Sequence, residues 1–299
     1  MRNIVKWILI ALPIAAVAGV ALIVLGSYME HKELIEEELD AFPAPGTLVS
    51  IEGSSSKLHV YTEGEREGDL TLVFLSGFGT SSPVYDFKPL YSRLSEGYRI
   101  AVVERSGYGW SSESDSPRDI DTVLAETRTA LAGAGESPPY VIFPHSMAGL
   151  ESIYWASQYP EEVLAIIGLD ALIPEYYEHS QEDPALSTVI TVLARTGLMR
   201  NQPGVCKENI PAVIHGHLTD EEAEIACTIF FRRTNTKNMH DEAEMLSDNV
   251  HAVSGEQNID VPFHGIISSE AKELWKQSLS AFSKATGGQS VIVDGGHYI

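Results

Sequence analysis

The chain has 299 residues, 44% of them apolar, and a formal net charge of −22. This is ample apolar material for one large core. The acidic excess excludes a nucleic-acid binder and a soluble part held to anionic lipid by charge alone. From Trp7 to Met29 the sequence is uncharged and mostly apolar, and as a helix it would span about 35 Å against a bilayer core of about 30 Å. Arg2 and Lys6 precede it, and six acids with one lysine follow between Glu30 and Asp40. The positive flank predicts a single-pass helix in the cell membrane, with the bulk of the chain on the extracytoplasmic side. Residues 1–29 thus read as an anchor and 30–46 as an acidic, helical stalk ending at Pro43-Ala44-Pro45-Gly46. A cleaved signal peptide is the rival reading, because Ala16-Val17-Ala18 resembles a cleavage site, although it lies inside the apolar run.

Beyond the stalk, Thr47–Ile51 and Lys57–Glu63 read as an antiparallel pair. Leu70–Leu75, Tyr98–Val103, Tyr140–Phe143 and Ala165–Leu169 read as buried strands, separated by helical patterns at Asp86–Leu94, Asp119–Ala132 and Leu150–Gln158. This alternation predicts an α/β fold, a mostly parallel sheet covered by helices on both faces. The pattern breaks at Ala171 and returns near Pro262–Ile267, followed by a strand at Ser290–Val293. The ninety or so residues between look helical at Leu186–Leu198, Thr219–Arg233 and Asp241–Ser254, with Thr219-Asp220-Glu221-Glu222 as a capping-box start. In this segment Cys206 and Cys227 read either as two small buried residues or as one disulfide, permitted outside the cytosol. His215-Gly216-His217 lacks the nearby carboxylates or cysteines a metal site would need.

The most informative stretch is Val141–Gly149, VIFPHSMAG. An apolar strand stops at Pro144, and a helix follows Ser146 at once. Small residues two positions either side of the serine, Pro144 and Ala148, suit a crowded strand-to-helix turn of the G-x-S-x-G kind. Such a turn lifts the Ser146 hydroxyl clear of the sheet and leaves the Met147 N–H at a helix N-terminus, where developing negative charge is stabilised. Partners in this arrangement follow in the order serine, acid, histidine. His297, on a glycine-rich loop after the last strand, is placed to be the base. His145 reads as a packing neighbour of the serine rather than as a base.

At these residues the chain resembles the α/β-hydrolase family. Leu72–Gly79 (LVFLSGFG) is similar to its strand and oxyanion loop, and Glu104–Ser111 (ERSGYGWS) to its D-R-x-G-x-G-x-S turn. Tyr159–Val163 and Ile166–Asp170 are similar to the end of the nucleophile helix and the next strand. Ser76, Glu104 and Pro144 depart from the usual histidine, aspartate and glycine without removing a catalytic atom. Pro144 fits only where no ladder hydrogen bond is needed. Family members carry a helix after the histidine, whereas this sequence stops at Ile299, which would leave the His297 loop weakly held.

The resemblance implies a core of residues 47–170 and 261–299 and a helical cap of residues 171–260. It implies a serine hydrolase of small carboxylic esters, with Ser146 as nucleophile, His297 as base, and the Phe78 and Met147 N–H groups as oxyanion hole. No cofactor or metal is called for, and the partner is a small ester or amide. The acid, placed by counting from Pro262 as the family pattern does, falls on Glu270, with Asp170 as the alternative. Met199, Phe230, Phe231 and Met245 would either line an acyl pocket or hold the cap together. An aminopeptidase of the same fold and a catalytically inactive binding module are the competing functions. A dehalogenase or epoxide hydrolase of this fold would carry an aspartate at position 146.

Overall fold

The computed structural model describes residues 2–65, 70–180, 186–202, 204–255 and 259–298; Ile299, where the sequence stops, lies outside them. Its strands are β1 (Thr47–Ser50), β2 (Lys57–Glu63), β3 (Thr71–Leu75), β4 (Arg99–Glu104), β5 (Tyr140–Pro144), β6 (Val163–Leu169), β7 (Phe263–Ser268) and β8 (Ser290–Val293). Among the described residues they form one sheet in the order β1-β2-β4-β3-β5-β6-β7-β8. β1 and β2 pair antiparallel, β2 joins β4 antiparallel, and every pairing from β4 to β8 is parallel.

The period of the strands explains why both faces are covered. Side chains alternate across a strand. On β3, Val73 and Leu75 join one apolar cluster while Leu72 and Phe74 join the other. The same alternation sends Ala101 and Val103 of β4 one way and Ile100 and Val102 the other. Each face therefore needs helices. α1 (Arg2–Ala41) precedes the sheet; α2 (Pro83–Leu94), α3 (Ile120–Gly133) and α4 (Ala148–Gln158) connect successive parallel strands. α3 and α4 pack on the first cluster and α2 on the second. Asp119 caps α3 by accepting from the Thr122 N–H at 2.9 Å. Between β6 and β7 the chain forms α5 (Pro174–Ser180), α6 (Thr188–Arg195), α7 (Pro211–Ile214), α8 (Asp220–Arg233) and α9 (Lys237–Ser254), and α10 (Glu273–Ala285) lies between β7 and β8. The capping box of α8 forms as expected, with Thr219 and Glu222 bonding each other's main-chain N–H.

α1 runs without a break through both the apolar run and the expected stalk. Its span Leu9–Ala41 is long and apolar enough to cross a membrane. Its charged end is packed rather than free. Arg200 bonds both Glu38 oxygens, at 2.6 and 2.8 Å, and His31 Nδ1 at 2.8 Å. Trp110 Nε1 donates to the Phe42 carbonyl at 3.1 Å, just past the helix end.

Cys206 and Cys227 form a disulfide with Cα atoms 5.4 Å apart, joining the segment before α7 to α8 across 21 positions. Closing a loop of that size removes about 3 kcal/mol of unfolded-chain entropy. Cys206→Ser should therefore lower unfolding free energy in urea by about 3 kcal/mol. An unchanged midpoint would mean that the bridge adds nothing to stability.

Candidate active site

The parallel strands carry their carboxyl ends to one edge, and β3 lies between β4 and β5, where successive connections diverge. A crevice opens at such a point. The loops that follow β3, β5, β6, β7 and β8 supply Phe78, Ser146, Asp170, Glu270 and His297, and all five line one cavity of about 590 Å³.

Ser146 sits on a strained turn. Its φ is 51°, a left-handed conformation that costs a non-glycine residue about 1–3 kcal/mol. The surroundings fix it. Its N–H donates to Leu169 of β6 at 3.3 Å, and its carbonyl accepts from Leu172 at 2.8 Å and Gly149 at 2.9 Å. The preceding His145 N–H reaches Leu75 of β3 at 2.9 Å. Since His145 points its N–H toward β3, strand alternation turns the N–H-less Pro144 toward β6. There the pairing with β6 lapses between Ile142–Ile166 and an isolated bridge at His145–Leu169, and Pro144, with no N–H to give, lies in that gap. Two glycines are dictated by crowding. A Cβ at Gly149 would collide with the Leu172 carbonyl, and one at Gly77 would sit 2.7 Å from Ser146 Cβ.

His297 meets Asp170. The imidazole Nδ1 lies 2.6 Å from Asp170 Oδ2. The other oxygen, Oδ1, accepts from the Ser268 N–H at 3.1 Å and from Trp275 Nε1 at 2.9 Å. Asp170 is buried and is itself left-handed, with φ 43°, at the end of β6. Glu270, which the family's spacing favoured, is exposed at the cavity rim, and its N–H donates to Ser268 Oγ at 3.1 Å. No hydrogen bond joins it to His297 among the described residues, and none yet joins His297 to Ser146 Oγ. Such contacts are commonly loose before substrate binds.

The His297 loop, expected to be weakly held, is tied down by bonds of its own. The Gly295 carbonyl accepts from Ser268 Oγ at 2.6 Å, and the His297 carbonyl accepts from His145 Nε2 at 3.0 Å. The His145 ring lies 4.7 Å from His297 and 4.6 Å from Tyr298, whose hydroxyl bonds Thr80. Burial, with the His297 imidazole second, lowers His145 from the ordinary 6.5 to about 3, so the ring stays neutral, and its Nε2 carries the proton donated in this bond.

Phe78 and Met147 both line the cavity, and neither main-chain N–H has a partner among the described bonds. The loop carrying Phe78 is clamped from below. Arg105 donates to the Ser76 carbonyl at 2.8 Å, and the Gly79 N–H reaches the Tyr108 hydroxyl at 3.4 Å. Tyr108 in turn donates to Glu242 of α9 at 2.5 Å, and the buried Arg105 guanidinium lies between Glu242 at 3.5 Å and Glu151 at 3.8 Å. The apolar wall comes from Leu172, Tyr176, Tyr177, Leu246 and Trp275. Met199 and Phe230 are instead buried in the cluster away from the cavity, holding helices together. His215 and His217 flank a separate cavity of about 240 Å³. Sequence reading missed Trp275, although Trp275, Leu279 and Phe282 are spaced as one helix face.

A profile of the alpha/beta hydrolase fold matches residues 71–189. Bacillus subtilis YbdG, an uncharacterized protein, is 38% identical over 240 residues, covering 79% of this chain and 72% of that protein. A pimeloyl-[acyl-carrier protein] methyl ester esterase of Aliivibrio salmonicida is 33% identical over 113 residues, 38% of this chain and 39% of its own length. A solved structure of a carboxylesterase study on Nitrososphaera gargenis superposes with a TM-score of 0.57 at 13% identity, covering 84% of this chain and 90% of that one.

Because the unfolded chain takes up a proton near 6.5 and buried His145 only near 3, the unfolded state binds more protons between these values. Folding stability should fall as pH drops through that window. In His145→Asn, urea unfolding from pH 7 to pH 4 should show a shallower decline; an identical decline would remove His145 as its source.

Proposed function

The chain belongs to the alpha/beta hydrolase fold family, and from that premise we propose that it is a membrane-anchored serine hydrolase of small carboxylic esters. The observation that carries the reading is the Asp170-held His297 imidazole on the same cavity as Ser146, on its left-handed turn. His297 Nε2 takes the Ser146 proton as Oγ bonds to the ester carbonyl carbon. The oxyanion is met by the Phe78 and Met147 N–H groups, each worth about 3–4 kcal/mol in the transition state. The intermediate collapses with loss of the alcohol, which receives the proton from His297. Water then attacks the acyl-enzyme by the same route and releases the acid.

Asp170 rather than Glu270 is the orienting acid in this proposal. Its second oxygen is already held by Ser268 and Trp275, so the carboxylate is preorganised for the imidazole. The tyrosines, Leu172, Leu246 and Trp275 favour an apolar acyl group. The esterase named among the relatives supports an ester over other acyl compounds. The disulfide suits a catalytic part outside the cytosol, in keeping with the positive residues before the apolar helix.

A fluorophosphonate probe should label the protein at Ser146, and Ser146→Ala should abolish both labelling and p-nitrophenyl ester hydrolysis. Absence of labelling in folded protein would favour an inactive binding module, and turnover of aminoacyl amides without esters an aminopeptidase. Asp170→Asn should lower kcat by about 10³–10⁴-fold, while Glu270→Gln stays within a few-fold of wild type. The reverse pattern would assign the acid to Glu270.

A further inference from the structure

α6 exposes three large apolar side chains within two turns: Val189 at 68%, Val192 at 52% and Ile190 at 43%. A single exposed valine needs no explanation, but three together on a short helix form a patch with a use. The helix is otherwise well made, with the Ser187 side chain accepting from the Ile190 N–H at its start.

Two observations identify what lies against it. First, the sequence from Pro184 to Lys207 contains no acid, in a chain that has 42. Arg195 and Arg200 within it are paired, with Glu113 and Glu38. The segment thus neither repels an anionic surface nor depends on attraction to one. Second, α6 leads directly onto α1. Gly197, with φ +75°, packs so close that a Cβ there would sit 2.5 Å from His31 Cβ and 2.9 Å from the Ser27 carbonyl. The turn Leu198–Asn201 that follows contacts α1, and Arg200 completes the join to His31 and Glu38. Ser27 and His31 flank Met29, where the uncharged run of α1 ends and the charged one begins. In a membrane-spanning helix that change marks the boundary between hydrocarbon and headgroups.

We propose that the apolar face of α6 rests in the headgroup–acyl boundary of the bilayer that α1 spans, seating the helical segment between β6 and β7 on the membrane. This rests on the reading of α1 as an anchor. The occupant is lipid: the patch is fixed beside the membrane-entry point of its own chain, and rigidly so, because Gly197 and Arg200 leave no slack between them. An amphipathic face of this kind buries its apolar side chains several ångströms below the headgroups.

The test uses the full-length chain in vesicles of phosphatidylcholine and phosphatidylglycerol. An environment-sensitive fluorophore is placed on an introduced cysteine in Val192→Cys, Val17→Cys or Lys284→Cys, and lipid carrying a nitroxide near the headgroup or deep in the chain acts as quencher. The label at 192 should be quenched by shallow nitroxide at least several-fold more than the label at 284, while that at 17 responds to deep nitroxide. If 192 behaves like 284 while 17 is quenched, α1 is inserted but the patch is not seated, and the proposal fails alone. Should 17 also escape quenching, the anchor reading falls and takes the proposal with it. A label at 192 shielded from aqueous iodide yet untouched by nitroxide lipid would assign the patch to a protein partner and overturn the inference.

Discussion

Everything at the site depends on one crowded turn. Ser146 can hold its left-handed backbone only because β3, β6 and the Leu172 segment bond the turn from three sides. The same crowding demands glycine at 77 and 149. It also leaves the Met147 N–H, on a residue that lines the cavity, without a partner among the described bonds. Strain, access and electrostatic preorganisation are thus three aspects of a single local geometry, of the kind that persists only where surrounding structure over-determines it.

The second constraint is the pair of bonds on Asp170 Oδ1. A carboxylate free to rotate would orient the imidazole poorly. Ser268 from β7 and Trp275 from α10 fix one oxygen, so the other faces His297. Behind the imidazole, His145 keeps the loop in register by donating to the His297 carbonyl, its own ring held neutral by burial. The groups concerned span the sequence from 145 to 297, yet they meet because β5, β6, β7 and β8 are neighbours in the sheet.

Much of this was legible in the sequence. Alternating apolar strands and helical periods give the layered sheet, and Ser146, His297, Phe78 and Met147 fall at strand ends where the pattern places them. The acid shows where linear reading runs out. Counting from Pro262 selects Glu270, but which carboxylate meets the imidazole depends on the β6–β7 register and on a tryptophan from α10, neither of which spacing reveals. α10 itself escaped because its serines and lysines dilute an apolar face made of Trp275, Leu279 and Phe282. α9 begins at Lys237, earlier than its apolar period suggests, since Thr236 caps it by accepting from the Met239 N–H. Whether the two cysteines were bonded was equally open, because 21 positions of separation carry no information on distance.

The proposed catalytic groups lie on strand ends, while most of the apolar wall comes from α5 and α9. That division suggests an enzyme whose specificity could be exchanged by transplanting the insert from a cousin. Glu242 sets the limit on such grafts. It reaches down from α9 to Arg105 and Tyr108, the two residues that grip the strand-end loop beside Ser146. A donor segment lacking an acid at that spot would leave the buried guanidinium with Glu151 as its one charged partner among the described residues, at 3.8 Å, and breaking a buried pair of this kind costs up to about 3–5 kcal/mol. Such grafts would then fail first by loosening the loop that carries Phe78, however well their new walls fit a new ligand.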